Sequence, residues 1–268
     1  MTHPFARLSY ETLKIEVPRP HVLVVRMNRP AAMNAMNTAM IEESHDLHTR
    51  LEADPQEIRC AVLTGEGAGF SAGGDLKERA HLSEEAATRQ HELAERLAMM
   101  RIDGPVPWIA AVHGVCLAGG LEVALTCDFI IADDTTRMAL TECSLGMMPG
   151  LMGTQTLARA AGERRAKQLI LSARRFTADE AAQWGIVNEV VPQGEALHRA
   201  IEVAGAIAAC APLSVRQARK AIHFGLQTDL RTGYRLELEA WYRLLGTQDR
   251  REGIAAFVEK RPPVFKGR

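Results

Sequence analysis

Trp108-Ile-Ala-Ala-Val-His113-Gly-Val-Cys-Leu-Ala-Gly119-Gly120-Leu-Glu122-Val-Ala-Leu-Thr-Cys-Asp128-Phe129-Ile-Ile-Ala132 decides the fold class. It reads as an apolar strand, a glycine-punctuated turn, an apolar helix opened by a glycine pair, and another strand. That alternation belongs to an α/β protein. Working outward, strands are expected at Lys14–Val17, His21–Met27, Cys60–Thr64, Trp108–His113, Phe129–Ala132 and Arg137–Leu140. Helical windows fall at 38–53 and 84–102, and in the second Leu93, Leu97 and Met100 share one face. No low-complexity linker interrupts them, so residues 1–194 are expected to form one α/β core.

From about residue 153 the pattern is mainly helical. Thr177-Ala-Asp-Glu180 is a capping box, Gly185 a helix stop, and Ile186–Val191 a short strand. After Pro192 only helices fit, at 195–209, 212–224, 230–245 and 250–258. Their apolar faces exceed what an isolated tail could leave in water, so 195–268 should pack on the core or on another copy of the chain. The recurring strand, strand and helix suits a superhelical ββα arrangement.

Composition narrows the function. Among 268 residues, 32 Lys and Arg against 33 Asp and Glu give a net charge of −1 without a long run of one sign, which argues against nucleic acid as main partner. The 47% hydrophobic and 24% charged content is that of a folded globular chain. Five cysteines include no CxxC pair, which fits a reducing compartment. The stretch from Val106 to Leu125 is broken by His113, Glu122 and glycines, so no membrane span is expected. With no targeting pattern at the start, a cytoplasmic protein is expected.

Three segments could carry chemistry. In the quoted stretch, Gly119 opens a helix whose first N–H groups lack intrahelical acceptors and suit an oxyanion. Glu122, one turn in, leans back toward the same glycines. Two readings are open there: a capping residue, or a carboxylate sharing a site with the donor. The second segment is Thr141-Glu142-Cys-Ser-Leu-Gly146-Met-Met-Pro149-Gly150, where Glu142 is either a solvated loop residue or an acid in a dry pocket with a raised pKa. The third, Gly65-Glu-Gly-Ala-Gly-Phe70-Ser71-Ala72-Gly73-Gly74-Asp75-Leu76-Lys77, is a glycine-rich loop able to turn backbone amides toward a ligand. Gly69-Phe-Ser71-Ala-Gly73 also matches the GxSxG elbow of serine hydrolases, although Ser71 follows its strand by seven residues. His45 and His48 lack further ligands at a metal-binding spacing and read as solvated helix residues. The runs Glu163-Arg164-Arg165 and Asp249-Arg250-Arg251-Glu252 read as solvent-facing, and no dinucleotide or nucleotide-triphosphate fingerprint occurs.

Together these segments resemble the enoyl-CoA hydratase/isomerase (crotonase) family from about residue 10 onward. The resemblance also covers Asn28-Arg-Pro30, Met33-Asn34-Ala35, Gly153-Thr-Gln155 and Asp249 through Lys260-Arg261. It implies a ββα superhelix with a C-terminal helical region that builds trimers, commonly paired into hexamers. It implies an acyl-CoA thioester substrate, with coenzyme A as part of that substrate and no separate cofactor or metal. The backbone N–H groups of Gly74 and Gly119 would form an oxyanion hole. Glu122 would activate water for attack at C3 of a 2-enoyl-CoA, and Glu142 would deliver a proton to C2. Ala72, Leu76 and Lys77 would border the CoA nucleotide, and Phe257 and Lys260 would approach it, from a neighbouring subunit in the assembled form. Isomerisation and thioester hydrolysis share the same oxyanion and are the alternatives, with a Ser71 hydrolase behind them. Ala31 stands where many members have Lys, Leu151-Met152 where a small pair is usual, and Gly150 where dienoyl-CoA isomerases tend to carry an aspartate.

Overall fold

The computed structural model describes residues 3–54 and 58–268. An antiparallel pair, β1 (Leu13–Arg19) and β2 (Val22–Met27), precedes α1 (Thr38–Ala53). Three strand, strand and helix units follow: β3 (Cys60–Gly65) and β4 (Gly69–Ser71) with α2 (Leu76–Arg79) and α3 (Glu84–Asp103); β5 (Trp108–Val112) and β6 (Val115–Leu117) with α4 (Gly119–Leu125); β7 (Phe129–Asp133) and β8 (Arg137–Ala139) with α5 (Gly153–Ala161) and α6 (Glu163–Ser172). Then come β9 (Phe176–Thr177), α7 (Ala178–Gln183), β10 (Glu189–Val191), α8 (Ala196–Ala208), α9 (Pro212–Gly225), α10 (Leu230–Tyr242) and α11 (Gln248–Glu259).

In each unit the first strand enters a six-stranded sheet, β1-β2-β3-β5-β7-β10, and the second a four-stranded sheet, β4-β6-β8-β9. Successive units pair in parallel in both sheets, Ala61 with Trp108 and Ile109 with Phe129 in one, Ser71 with Cys116 and Cys116 with Met138 in the other. Each unit is therefore one turn of a superhelix. Because β4, β6 and β8 run side by side in one direction, the loops that leave their C-terminal ends emerge together.

The long strands read as continuous apolar runs because both their faces are covered. Leu23, Ala61, Leu63, Ala110 and Val112 face the main core, while Val22, Val24, Val62, Ile109 and Ile131 face α8. Ala200, Ala204 and Ala208, four apart, are the buried stripe by which α8 seats on the large sheet. α8 is a layer of the core, and the helices that stand beyond it are α9 to α11. There Leu226, Leu230, Phe257 and Val258 are each more than 70% exposed. No single helix among the described residues is long and apolar enough to cross a membrane.

Three short strands escaped the sequence: β4 and β6, three residues each, sit where a glycine-rich loop and a turn were expected, and the two-residue β9 lies in a stretch expected to be mainly helical. The last strand is likewise shorter than Ile186–Val191, covering Glu189–Val191. Two polar assignments are corrected. His48 is not solvated; it is buried and stacks on Trp108 with ring centres 4.7 Å apart. Asp249 is buried as well, and its carboxylate accepts the N–H groups of Lys266 (2.7 Å) and Gly267 (2.8 Å), tying down the C-terminal tail.

His48 Nδ1 donates to the carbonyl of Ser44 at 2.8 Å, so Nε2 carries the bare lone pair and lies buried without a partner. Burial first, and then the positive charge of Arg101, push its pKa down to about 3. A folded pKa below the unfolded value means the unfolded chain takes up the proton first, so this contribution to stability is complete above the unfolded pKa and is lost as pH falls toward 3. Urea unfolding at pH 7 and pH 5 should show wild type losing about 2 kcal/mol more than His48→Phe over that interval. Equal losses would refute the assignment.

Candidate active site

Strand β4 ends at Ser71, and the loop after it is fastened on one side to the segment 33–36. Ala72 N–H donates to Met33 O, Met36 N–H to Gly73 O and Asp75 N–H to Met36 O, at 2.7–3.0 Å. Arg29 Nη1 pairs with Asp75 Oδ2 at 2.9 Å, and Asp75 caps α2 through the N–H groups of Lys77 and Glu78. These bonds flank Gly74 in a parallel bridge with Met36, which leaves the N–H of Gly74 on the opposite side of the loop.

On that side stands the start of α4. A Cβ built on Gly119 would lie 3.6 Å from the nitrogen of Gly74, and one built on Gly73 3.0 Å from the nitrogen of Gly119. The loops thus bring the two amides together. Ala118, the residue before the helix, has φ 50° and ψ −129°. A non-glycine residue pays on the order of 1–3 kcal/mol for such a conformation. Its ψ orients the peptide that carries the N–H of Gly119.

The two glutamates converge on the same region. Glu122 is buried and does not cap its own helix; α4 has no side-chain cap. Its Oε1 instead accepts the N–H groups of Leu151 (2.7 Å) and Gly153 (2.9 Å) at the start of α5. Burial raises its pKa, and the amides of Gly153, Leu151 and Gly150 and the charge of His91 oppose the rise. Glu142 opens a 3-10 turn, Glu142–Leu145, after β8. Its carboxyl is not solvated: the residue is 8% exposed and Oε2 is buried with no hydrogen-bond partner. Burial raises its pKa, its own backbone N–H lowers it, the negative charge of Glu122 raises it further and Arg79 lowers it. A buried unsatisfied carboxyl oxygen is a costly feature that points to a ligand or a proton.

Ala72, Leu76 and Lys77 lie on the loop and helix that carry Gly74, and Leu76 and Lys77 are exposed. Phe257 and Lys260 are on the surface at the end of α11 and take no part in the described contacts of the glutamates. Among the described residues no group of three or more His, Cys, Asp or Glu could hold a metal. Ser71 is fully buried; its hydroxyl donates to Asn34 O (2.9 Å) and accepts from Gly73 N–H (3.1 Å), so it fastens the loop and is not an exposed nucleophile. Asn34, noted in the sequence only within the resemblance, takes a structural role, and two further residues went unremarked. Asn34 ties the turn before β4 by donating to Glu66 O and Gly69 O. His91 reaches Gly150 from α3, and Arg79 lies against Gly74. No local pattern marks them, because α2 and α3 meet the site through distant partners.

Residues 19–268 match the family model of enoyl-CoA hydratase/isomerase. The chain is 41% identical over 258 residues to a Bacillus subtilis protein named as an enoyl-CoA hydratase/isomerase, spanning 96% of this chain and 99% of that one. It is 39% identical over 249 residues to the 2,3-dehydroadipyl-CoA hydratase of Escherichia coli, spanning 92% and 96%. The crystal structure of an enoyl-CoA hydratase from Bacillus anthracis superposes with a TM-score of 0.94 at 40% identity, covering 96% of this chain and all of that one, 100%.

The buried hydroxyl of Ser71 leads to a test of its own. A fluorophosphonate probe should fail to label the wild-type protein, whereas Ser71→Ala, which leaves Gly73 N–H unpaired, should lower unfolding free energy by about 1–3 kcal/mol. Stoichiometric labelling that vanishes in the variant would restore the hydrolase reading.

Proposed function

Since this chain belongs to the enoyl-CoA hydratase/isomerase family, we propose that it adds water across the 2,3 double bond of a 2-enoyl-CoA thioester. The observation that carries this reading is the convergence of two outward-facing amides, Gly74 and Gly119, with two buried carboxyls whose environments differ. The thioester oxygen accepts from both amides. As water attacks C3, electrons move through C2 to that oxygen, and preformed donors hold the resulting enolate at about 3 kcal/mol each.

The unlike surroundings of the glutamates divide the proton work. Glu122 is held by main-chain amides that favour the carboxylate, whereas Glu142 has an unpaired oxygen and a carboxylate neighbour that favour the acid. Glu122 takes a proton from the attacking water, the hydroxyl bonds to C3, and Glu142 gives its proton to C2. The 3-hydroxyacyl-CoA leaves, and exchange with solvent restores both carboxyls. The exposed apolar residues of α9 to α11 are the surface through which copies would assemble, as a homotrimer or a dimer of trimers. Phe257 and Lys260 on α11 would then lie near a neighbour's coenzyme A.

Loss of the conjugated enoyl-thioester absorbance, with mass spectrometry showing a gain of one water and retention of CoA, tests the reaction. An isomer of unchanged mass, or free CoA, would replace hydration by isomerisation or hydrolysis. Glu142→Gln should lower kcat by about 100-fold or more. Its acid role requires kcat to fall as pH rises through a pKa above the ordinary carboxylate range, a limb the variant should lack. Gly153→Ala would place a Cβ 2.8 Å from Cγ and Oε1 of Glu122. Displacing that carboxylate should cost about tenfold to 100-fold in kcat while the fold persists.

A further inference from the structure

We propose that Arg79 sets the acyl specificity of this site, selecting thioesters whose short acyl chain ends in a second carboxylate. The proposal rests on the acyl-CoA reading above and deepens it. The guanidinium lies across Gly74: a Cβ built there would be 2.7 Å from its central carbon and 2.9 Å from each terminal nitrogen. It therefore stands beside one of the two amides that would receive the thioester oxygen. Its charge also reaches Glu142.

The arrangement around Arg79 is built. Gln90, on α3, is 5% exposed, and its amide nitrogen donates to Thr38 Oγ1 (2.8 Å) and Glu78 Oε2 (3.0 Å). Those two bonds turn its oxygen toward Arg79 Nε, which donates to it at 3.3 Å. Glu78 is in turn fixed by Thr38 N–H at 2.9 Å. With Nε held, the Nη1 and Nη2 edge remains as a planar fork, the geometry that takes a carboxylate bidentately.

Among the described residues no carboxylate pairs with that fork. Arg29, Arg199, Arg219 and Arg261 each pair with a carboxylate, at 2.5–2.9 Å. Among the described residues Arg79 makes no ion pair, although it is half-buried and Glu142 is near with an oxygen to spare. A half-buried guanidinium with its Nη edge unpaired is set to accept a ligand carboxylate. The ligand's charge must also lie few bonds from the thioester carbonyl, because Arg79 touches Gly74 itself. That requirement suits a five- or six-carbon dicarboxylic acyl group and disfavours the distant phosphates of coenzyme A.

Saturated thioesters, which cannot be hydrated, separate recognition from turnover. Calorimetry with adipyl-CoA and hexanoyl-CoA, equal in length and differing in the terminal carboxylate, should give wild type at least about tenfold tighter binding of adipyl-CoA. Arg79→Met should bring the ratio of dissociation constants to one or below, and Arg79→Lys should keep part of it. Arg79→Gln provides a second neutral variant should the methionine protein fail to fold. Equal binding of both thioesters by wild type, or a ratio that survives in the folded neutral variant, would overturn the role of Arg79 alone and leave it as an electrostatic support for Glu142. Binding of neither thioester would overturn the acyl-CoA reading together with it.

Discussion

The first turn of α4 lies on the end of β4 at a separation that admits no side chain. A Cβ on Gly120 would come 2.5 Å from the carbonyl oxygen of Ser71, and one on Gly73 2.9 Å from Cβ of Ala118. This close approach, made possible by bare backbone on both sides, sets two main-chain amides at one point. A side chain at any of these positions would separate the strand from the helix. The remaining features of the site are arranged around that contact: the Met33 to Met36 bonds that steady the loop, the strained Ala118, and the carboxyls that enter from α4 and from the loop after β8.

Superhelical winding supplies the register. Because β4, β6 and β8 are parallel neighbours, three loops distant in sequence share one edge of the small sheet. One gives Gly74, the next Gly119 and Glu122, and the third Glu142. The large sheet, sealed by α8 on one face and the main core on the other, is the rigid layer behind them. A site spread over several strand ends keeps its geometry only when such a scaffold holds each end in place.

The electrostatics follow from unequal burial and unequal bonding. Glu122 and Glu142 both lose solvent, but Glu122 gains two amide hydrogen bonds from the start of α5, whereas Glu142 keeps a buried oxygen without a partner. Burial raises the pKa of both; at Glu122 those amides oppose the rise, while at Glu142 the charge of Glu122 adds to it. Arg79 adds a positive charge beside Gly74, its Nε held by Gln90, which Glu78 holds in turn.

The sequence alone determined the α/β class, the long strands and the helical C-terminal region, because continuous apolar runs and helical periodicity are local patterns with one stable burial. It also marked Gly74, Gly119, Glu122 and Glu142 as candidates, through glycine pairs beside acids and through family resemblance. Only the tertiary structure decided that Glu122 is gripped by α5, that α8 belongs to the core, that the strands of the small sheet form from two or three residues, and that His48 and Asp249 are buried. It also decided the place of Arg79 over Gly74. Each of these depends on a partner beyond the reach of a local pattern, for Arg79 the Gln90 that holds it, and pairing at that range is fixed by packing.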